Sequence, residues 1–448
     1  MKSIPLFSSK LSLYIKPLAR SSGVKASSTR KQCWLKQAWL SSSALSVVQE
    51  SKGRARIDNT GIKSKSELNC FISLFLDSFF LKVLYNVRYL LLSFLKSFKR
   101  IKKFRCNEQF MQKALFWEQH EKGVKCRLCP HECVIPEGRR GLCRVRENVK
   151  GELFTCAYSN PCSVGVDPIE KKPLFHFLPG SETFSISIAG CNLRCLNCQN
   201  FEVSQASPEE SAIMQLEPER AVEEAVNRNC GSISFTYTEP TVFYEYMADV
   251  SRLAKEKGLK VVLVSNGYIN EKPLKGLKGL VDAVNIDLKA FDDETYLRLC
   301  GAHLQPVLDT LKTLKKIKAW TEITSLIVPG YTDDIDTIEN MCGWIVTELG
   351  KDVPLHFSRF FPLYKLSESR QTSIQVLDKA RKTAMNAGLR YVYIDNTRKS
   401  SDLSTFCPEC RKLIVERSFY SVSLAALKKN KCASCGHKIP GVFSDKAK

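Results

Sequence analysis

Three cysteines in the run GCNLRCLNCQN, namely Cys191, Cys195 and Cys198, stand at C-x3-C-x2-C spacing. Four thiolates close the coordination of a structural zinc or of a cluster. Three thiolates on a four-iron cubane leave one iron open to an outside ligand, and that opening is where chemistry can occur. Gly190 precedes the triplet and lets the backbone turn sharply, while Asn192 and Arg194 lie inside the loop. The plainer alternative is a zinc site whose fourth ligand comes from elsewhere in the chain.

Two further groups bring the cysteines at metal-ligand spacing to eleven of nineteen. In CRLCPHECVIPEGRRGLC, Cys126, Cys129, Cys133 and Cys143 crowd into eighteen residues, a density that favours a metal site over four buried thiols. Zinc is the plainer occupant and an auxiliary iron–sulfur cluster its rival, since soft thiolate sites accept either. His131 is a possible substitute ligand, or a loop histidine with no metal role. Near the C-terminus Cys407 and Cys410 are separated by twenty-one residues from Cys432 and Cys435. Paired C-x2-C knuckles at this distance read as a zinc ribbon, a module of about forty residues too small to be stable without its ion. Thiols meant for metal imply a reducing compartment rather than a disulfide scaffold.

The elements that must position these groups follow from residue 184 onward, where short β-rich runs alternate with helical stretches. Strands are expected at FSISIA (184–189), SISFTYT (232–238), KVVLVSN (260–266), AVNIDLK (283–289), EITSLIV (322–328), LHFSRF (355–360) and YVYID (391–395). PERAVEEAVNR opens with Pro218 and acids, and QPVLDTLKTLKKIKA repeats apolar residues at three and four, both helical patterns. No repeat of 20 to 50 residues suggests a solenoid. The fold class is therefore α/β, an open or partial parallel (β/α) barrel with chemistry at the carboxyl ends of its strands, preceded by a four-cysteine module and followed by the ribbon. The division reads as 1–110 extension, 111–165 cysteine module, 166–400 core, and 401–448 ribbon and tail.

The chain has 448 residues and a net charge of +21, but residues 1–105 alone carry 21 basic and 4 acidic side chains. The remainder is nearly neutral, which removes the charge argument for nucleic acid. The first fifty residues hold twelve serines, eight Lys or Arg and one acid, Glu50, a transit-like composition. Residues 71–95 are strongly apolar but interrupted by Asp77, Lys82 and Arg88, so they suit an interfacial helix about as well as a spanning one, and membrane contact through 71–105 is a possible reading. Ordinary globular sequence begins at Met111, so residues 1–110 read either as a targeting or membrane extension or as upstream sequence swept into the reading frame. The expected location is cytoplasmic if the protein starts there, and organellar or membrane-associated otherwise.

The triplet at the end of a first barrel strand resembles the signature of the radical S-adenosylmethionine superfamily. That resemblance implies a [4Fe–4S] cluster on Cys191, Cys195 and Cys198. It also implies S-adenosylmethionine (SAM) on the free iron, and reductive cleavage to a 5′-deoxyadenosyl radical that abstracts hydrogen from a substrate. It further implies that Thr238 and Glu239, at the next strand end, meet the methionine amino group, with Ser265 and Asn266 of VSNGY near the ribose. Asp287 and Lys289 of NIDLK resemble the D-L-K run of glycyl-radical-enzyme activases, and Gly330 of IVPGYTDD would allow approach to the adenine. Apart from the family, Glu239 and Asp287 read as helix caps or loop carboxylates.

The blocks CRLCPHEC, GLCRVREN, GELF, DPIEKKPLFHFLPGS and GCNLRCLNCQN, together with HFSRFFPLYK and the final ribbon, narrow the likeness over residues 111–440. They resemble the radical enzyme of the AmmeMemoRadiSam system, related to pyruvate formate-lyase activating enzymes. This implies a flavodoxin- or ferredoxin-like electron donor, a protein substrate, and Memo-like and AMMECR-like associates. Three features depart from the pattern: the first 110 residues, Asp395 where glycine is usual, and the missing histidine in HFSRFFPLYK. In DPIEKKPLFHF, Asp167, Glu170, Lys171, Lys172 and His176 either gate the barrel or bind substrate, or belong to a surface-docked segment held by Leu174, Phe175 and Phe177; packing is the preferred reading. The expected function is radical SAM catalysis on an unidentified, protein-type substrate. The alternatives are a glycyl-radical activase and a non-catalytic iron–sulfur or zinc scaffold.

Overall fold

The computed structural model describes residues 108–443 except 212–213, 398–399 and 419. The transit-like and apolar N-terminal stretches lie outside the described residues. Among those described, no helix is long and apolar enough to cross a membrane.

The centre is an eight-stranded sheet: β1 (Ser163–Pro168), β2 (Glu182–Ser187), β3 (Ser232–Phe235), β4 (Lys260–Ser265), β5 (Ala283–Asp287), β6 (Trp320–Ile327), β7 (Leu355–Arg359) and β8 (Val392–Asp395). Neighbours in sequence are neighbours in space, and β1 and β8 form its two free edges, so the sheet is open. From β2 to β8 every pairing is parallel. β3 is buried at all four positions, as expected of a parallel strand covered on both faces. All seven expected strands are present. All but the last end one to three residues sooner than expected, most notably where Ile188 and Ala189 leave β2 to feed the cysteine loop and Thr236–Thr238 leave β3 through Tyr237 at φ 67°.

β1 was not among the expected strands. It pairs antiparallel with β2 over six positions, Ser163↔Ser187 to Pro168↔Glu182. Gly165 and Pro168 dilute its strand signal, and an edge position tolerates both.

The connecting helices are α1 (Pro218–Asn227), α2 (Tyr244–Glu256), α3 (Glu271–Gly276), α4 (Asp293–Cys300), α5 (Gln305–Ile317), α6 (Ile335–Trp344) and α7 (Ile374–Asn386). Proline opens α1 as the sequence suggested. Helix α4 is capped by Asp292, which accepts from the Thr295 amide at 2.7 Å, and it ends at Gly301 with φ 68°.

Ahead of the sheet, Trp117–His120, Gly123–Cys126 and Val134–Ile135 form one small antiparallel sheet, and Gln112–Lys113, Glu152–Thr155 and Arg146–Val149 form another. After β8, Thr405–Phe406, Leu413–Ser418 and Ser421–Ser423 make a third, followed by the hairpin of Leu427–Lys428 and Lys431–Cys432. The main core combines residues of the sheet, its helices and the first module, whereas Phe175, Tyr391, Tyr393, Cys407, Ile414, Cys432 and Ile439 form a separate cluster under the last one.

Candidate metal centre and cofactor cavity

A cavity of about 730 Å³ opens at the carboxyl ends of the strands. Cys191, Cys195 and Cys198 line it together with Thr238 and Glu239 after β3, Asn266 after β4, and Asp287 and Lys289 at the end of β5. All eight residues singled out around the triplet thus border one space. Ser265 lies behind them, donating to Glu239, and Gly330 is not part of the lining; its amide closes a turn on Asp333 at 2.8 Å.

The cysteine loop is held from several directions. The amides of Arg194 and Leu196 donate to the carbonyls of Cys300 and Leu299 at 2.8 and 2.9 Å, so the loop satisfies the last turn of α4. Arg194 donates to the carbonyls of Cys191 and Leu193 at 2.9 and 2.8 Å and to that of Leu142 in the first module. Gly190, at φ 107°, sits where a Cβ would collide with Val145 and the Cys143 carbonyl oxygen. Asn192 donates to the Tyr268 carbonyl at 2.8 Å and accepts from Asn266 at 2.9 Å.

Electrostatics distinguish the three thiols. Burial pushes the Cys191 thiol well up, with Glu239 adding to the effect. Cys195 is drawn down to about 7, chiefly by a hydrogen bond from Cys300 and then by Lys289. Cys198 is raised by burial, partly offset by Ser204, whose Oγ lies 3.1 Å from its sulfur. Burial alone would lower the Lys289 ammonium, but Asp287, 3.0 Å away, and the neighbouring sulfurs hold it well above its ordinary value.

Glu239 is 2% exposed and already engaged: Oε1 accepts from Thr241 N, Thr241 Oγ1 and Ser265 Oγ, and Oε2 from Asn266 N at 2.8 Å. Burial nevertheless raises its carboxyl. Thr238 donates to the Ile188 carbonyl at 2.6 Å, tying β3 to β2 just before the loop.

Of the remaining lining residues, Tyr237, Asn396 and Tyr420 escaped the sequence reading, whereas Glu170, Lys171, Phe175 and Asp395 were among those it named. Glu170, Lys171, Pro173 and Phe175 of DPIEKKPLFHF form one wall. Tyr237 also faces the cavity, and its hydroxyl donates to Asp167 at 2.5 Å, while Asp167 also accepts from Lys171 and Lys172 at 2.8 Å. The segment is therefore both packed and cavity-lining: Lys172, Leu174, His176 and Phe177 are fully buried. Asp395, Asn396 and Tyr420 also line the cavity. Asp395 is partly buried and faces His356 Nδ1 at 3.5 Å, and His356 Nε2 meets Glu322 at 2.8 Å.

The eleven cysteines of the three groups are free thiols. Among the described residues, Cys407, Cys410, Cys432 and Cys435 form the one group of possible ligands whose donor atoms all lie within 4.8 Å. The 191–198 triplet is not drawn to that single-ion spacing. Three soft thiols on one loop facing a large cavity, beside carboxylate, amide and ammonium groups, fit a polynuclear iron–sulfur cluster with an organic ligand beside it. His131 lines the small cavity bordered by Cys126, Cys129, Cys133 and Cys143, and its Nε2 contacts the Asn192 carbonyl at 2.7 Å.

Sequence comparison agrees with this arrangement. The Radical SAM superfamily matches residues 185–345. The chain is 46% identical over 332 residues to the uncharacterized protein MJ0808 of Methanocaldococcus jannaschii, covering 73% of this chain and 99% of that one. It is 26% identical over 219 residues to the pyruvate formate-lyase-activating enzyme of Clostridium pasteurianum, covering 47% of this chain and 91% of that protein. It is 28% identical over 158 residues to the pyruvate formate-lyase 1-activating enzyme of Escherichia coli K12, 34% of this chain and 63% of that one. With the triplet, the parallel sheet and these relatives in agreement, the chain belongs to the radical SAM superfamily, whose members are enzymes using a [4Fe–4S] cluster and SAM, and is homologous to the pyruvate formate-lyase activating enzymes.

Proposed function

We propose that this protein cleaves SAM reductively and delivers the resulting radical to a protein substrate. The observation that carries the reading is the convergence of Cys191, Cys195, Cys198, Thr238, Glu239, Asn266, Asp287 and Lys289 on one cavity. In this reading the three cysteines hold the cluster, which when loaded supplies the electron that breaks the sulfonium bond. Glu239 and Thr238 receive an ammonium group, for which a buried carboxylate is suited. Asn266 fixes the loop next to Cys191, and the Asp287–Lys289 pair sets the charge beside Cys195. The wall of Lys171, Tyr237 and Phe175 excludes water and meets the substrate.

The four C-terminal cysteines hold a structural zinc in this proposal, and the chain divides into 111–165, 166–400 and 401–448 as the sequence suggests. The activating-enzyme relatives support a protein substrate and a separate electron donor. The blocks CRLCPHEC and DPIEKKPLFHF support placement in the AmmeMemoRadiSam system, with Memo-like and AMMECR-like proteins as associates.

Anaerobically reconstituted protein given dithionite and SAM is expected to release 5′-deoxyadenosine and methionine, and Cys195→Ala to release neither. A wild-type protein that binds metal but yields no 5′-deoxyadenosine would establish a scaffold instead.

A further inference from the structure

The second cysteine group encloses a space of its own. Cys126, Cys129, Cys133 and Cys143 all line a small internal cavity of about 20 Å³, closed by apolar Leu128, Ile135 and Val242. The cysteine-bearing turn is braced by the backbone, with Cys126 N donating to Cys133 O at 2.9 Å and Glu132 N to Cys129 O at 3.0 Å. One guanidinium reaches this space, whose lining also includes His131, Asn192 and Thr241. Arg146 is 1% exposed, its Nη1 donates to Cys126 Sγ at 3.6 Å, and its Nη2 pairs with Glu245. A buried guanidinium that donates to one of the four sulfurs supplies positive charge of the kind an anionic metal–thiolate centre needs within the protein.

The spacing of the sulfurs separates the two kinds of occupant. A zinc ion with four thiolates at about 2.3 Å brings its sulfurs to about 3.8 Å from one another. The C-terminal group has this geometry, with Cys407 Sγ 3.6 Å from Cys435 Sγ and Cys410 Sγ 3.6 Å from Cys432 Sγ. The N-terminal group surrounds its cavity without any three of its sulfurs falling within 4.8 Å of one another, for among the described residues the C-terminal group alone meets that condition. Thiolates distributed over several irons stand wider apart than thiolates on one ion.

We propose that Cys126, Cys129, Cys133 and Cys143 hold a second iron–sulfur cluster rather than a zinc ion. Asn192, the residue after Cys191, forms part of its wall, so this second centre backs the loop that carries the first triplet. None of the four cysteines lines the large cavity.

Metal and sulfide analysis of anaerobically reconstituted full-length protein tests this directly. Wild type is expected to hold about eight irons and eight sulfides, and the Cys191→Ala/Cys195→Ala/Cys198→Ala variant about half of each, with a cluster electron paramagnetic resonance (EPR) signal after dithionite. Adding Cys129→Ser and Cys133→Ser to that variant should remove the remaining iron. About four irons in wild type, none in the triple variant and an extra equivalent of zinc in both would overturn the proposal. The wild-type count stands even where a variant folds poorly. Failure of the catalytic reading is separable, because it would leave iron in the triple variant while wild type releases no 5′-deoxyadenosine.

Discussion

Glu239 illustrates how one side chain can serve both the fold and the cavity. Its four hydrogen bonds join the turn after β3 to the turn after β4, two segments far apart in sequence. Glu239→Gln turns an acceptor-only group into one that presents N–H to donors already pointing inward. The expected cost is about 1 to 3 kcal/mol of stability together with weaker SAM binding, measured by denaturant titration and by equilibrium dialysis. Glu239→Asp should restore more of the stability than of the binding. A Gln variant with wild-type affinity would remove Glu239 from the cofactor contacts. Cys300 was invisible as a functional residue in the sequence, where it stands alone in LRLCGA, far from any cysteine group. Its influence on Cys195 emerges only once α4 ends beside the loop, where the Arg194 amide donates to the Cys300 carbonyl at 2.8 Å. Hydrogen bonds to cluster sulfurs favour the reduced state, so Cys300→Ala is expected to lower the reduction potential of the first cluster without loss of iron, read by an EPR-monitored titration.

At the scale of elements, the strand ends were readable and the contacts behind them were not. The seven expected strands announced themselves as short runs rich in β-branched and aromatic residues, with small polar Ser and Thr interleaved in β2 and β3, whereas β1 was hidden by Gly165 and Pro168, and strand limits were set by where the loops had to leave. Gly190 marks the junction most sharply. Gly190→Ala combines an unfavourable φ with overlap against Val145 and the Cys143 carbonyl, an expected penalty of about 1 to 3 kcal/mol concentrated at the loop. Iron retained at the 191–198 triplet should fall while C-terminal zinc is unchanged, and equal metal loss at both ends would contradict this localisation. A second cross-strand device runs through Glu322 on β6, His356 on β7 and Asp395 on β8. Burial would lower the His356 imidazolium, yet Asp395 and Glu322 raise it from 6.5 to about 9. The cationic form is thus favoured by the fold. Its contribution to stability is fully present below about pH 6.5 and is lost as pH rises through about 9. The thermal midpoint of wild type should decline across that window, and His356→Gln should flatten the decline; an unchanged slope would show that another group controls it.

Across the whole molecule, the C-terminal module acts on the cavity through the PLFHF segment. Val442 N donates to His176 O at 2.8 Å, and Leu178 N to Val442 O at 2.7 Å. Arg417 lies 4.4 Å over the Phe175 ring and donates to the Phe175 carbonyl at 2.5 Å. Tyr393 bridges His176 and Thr405 at 2.6 and 2.9 Å. Phe175 in turn lines the cavity that the triplet faces. None of this was readable beforehand, because it joins segments more than two hundred residues apart through buried polar groups that carry no periodic signal. The expectation of a docked segment captured its apolar anchors but not what docks upon it. If the C-terminal cysteines hold zinc, Cys432→Ala removes the ion from a module too small to keep its structure without one. Amide hydrogen exchange is then expected to rise in residues 405–442 and, through the lost clamp, in residues 173–178. Residues 191–198, secured by α4 and the first module, should remain as protected as in wild type and keep their iron. Exchange confined to 405–442 would show that the wall formed by Phe175 stands without the ribbon, and loss of protection at 191–198 would show that the two metal regions depend on one another.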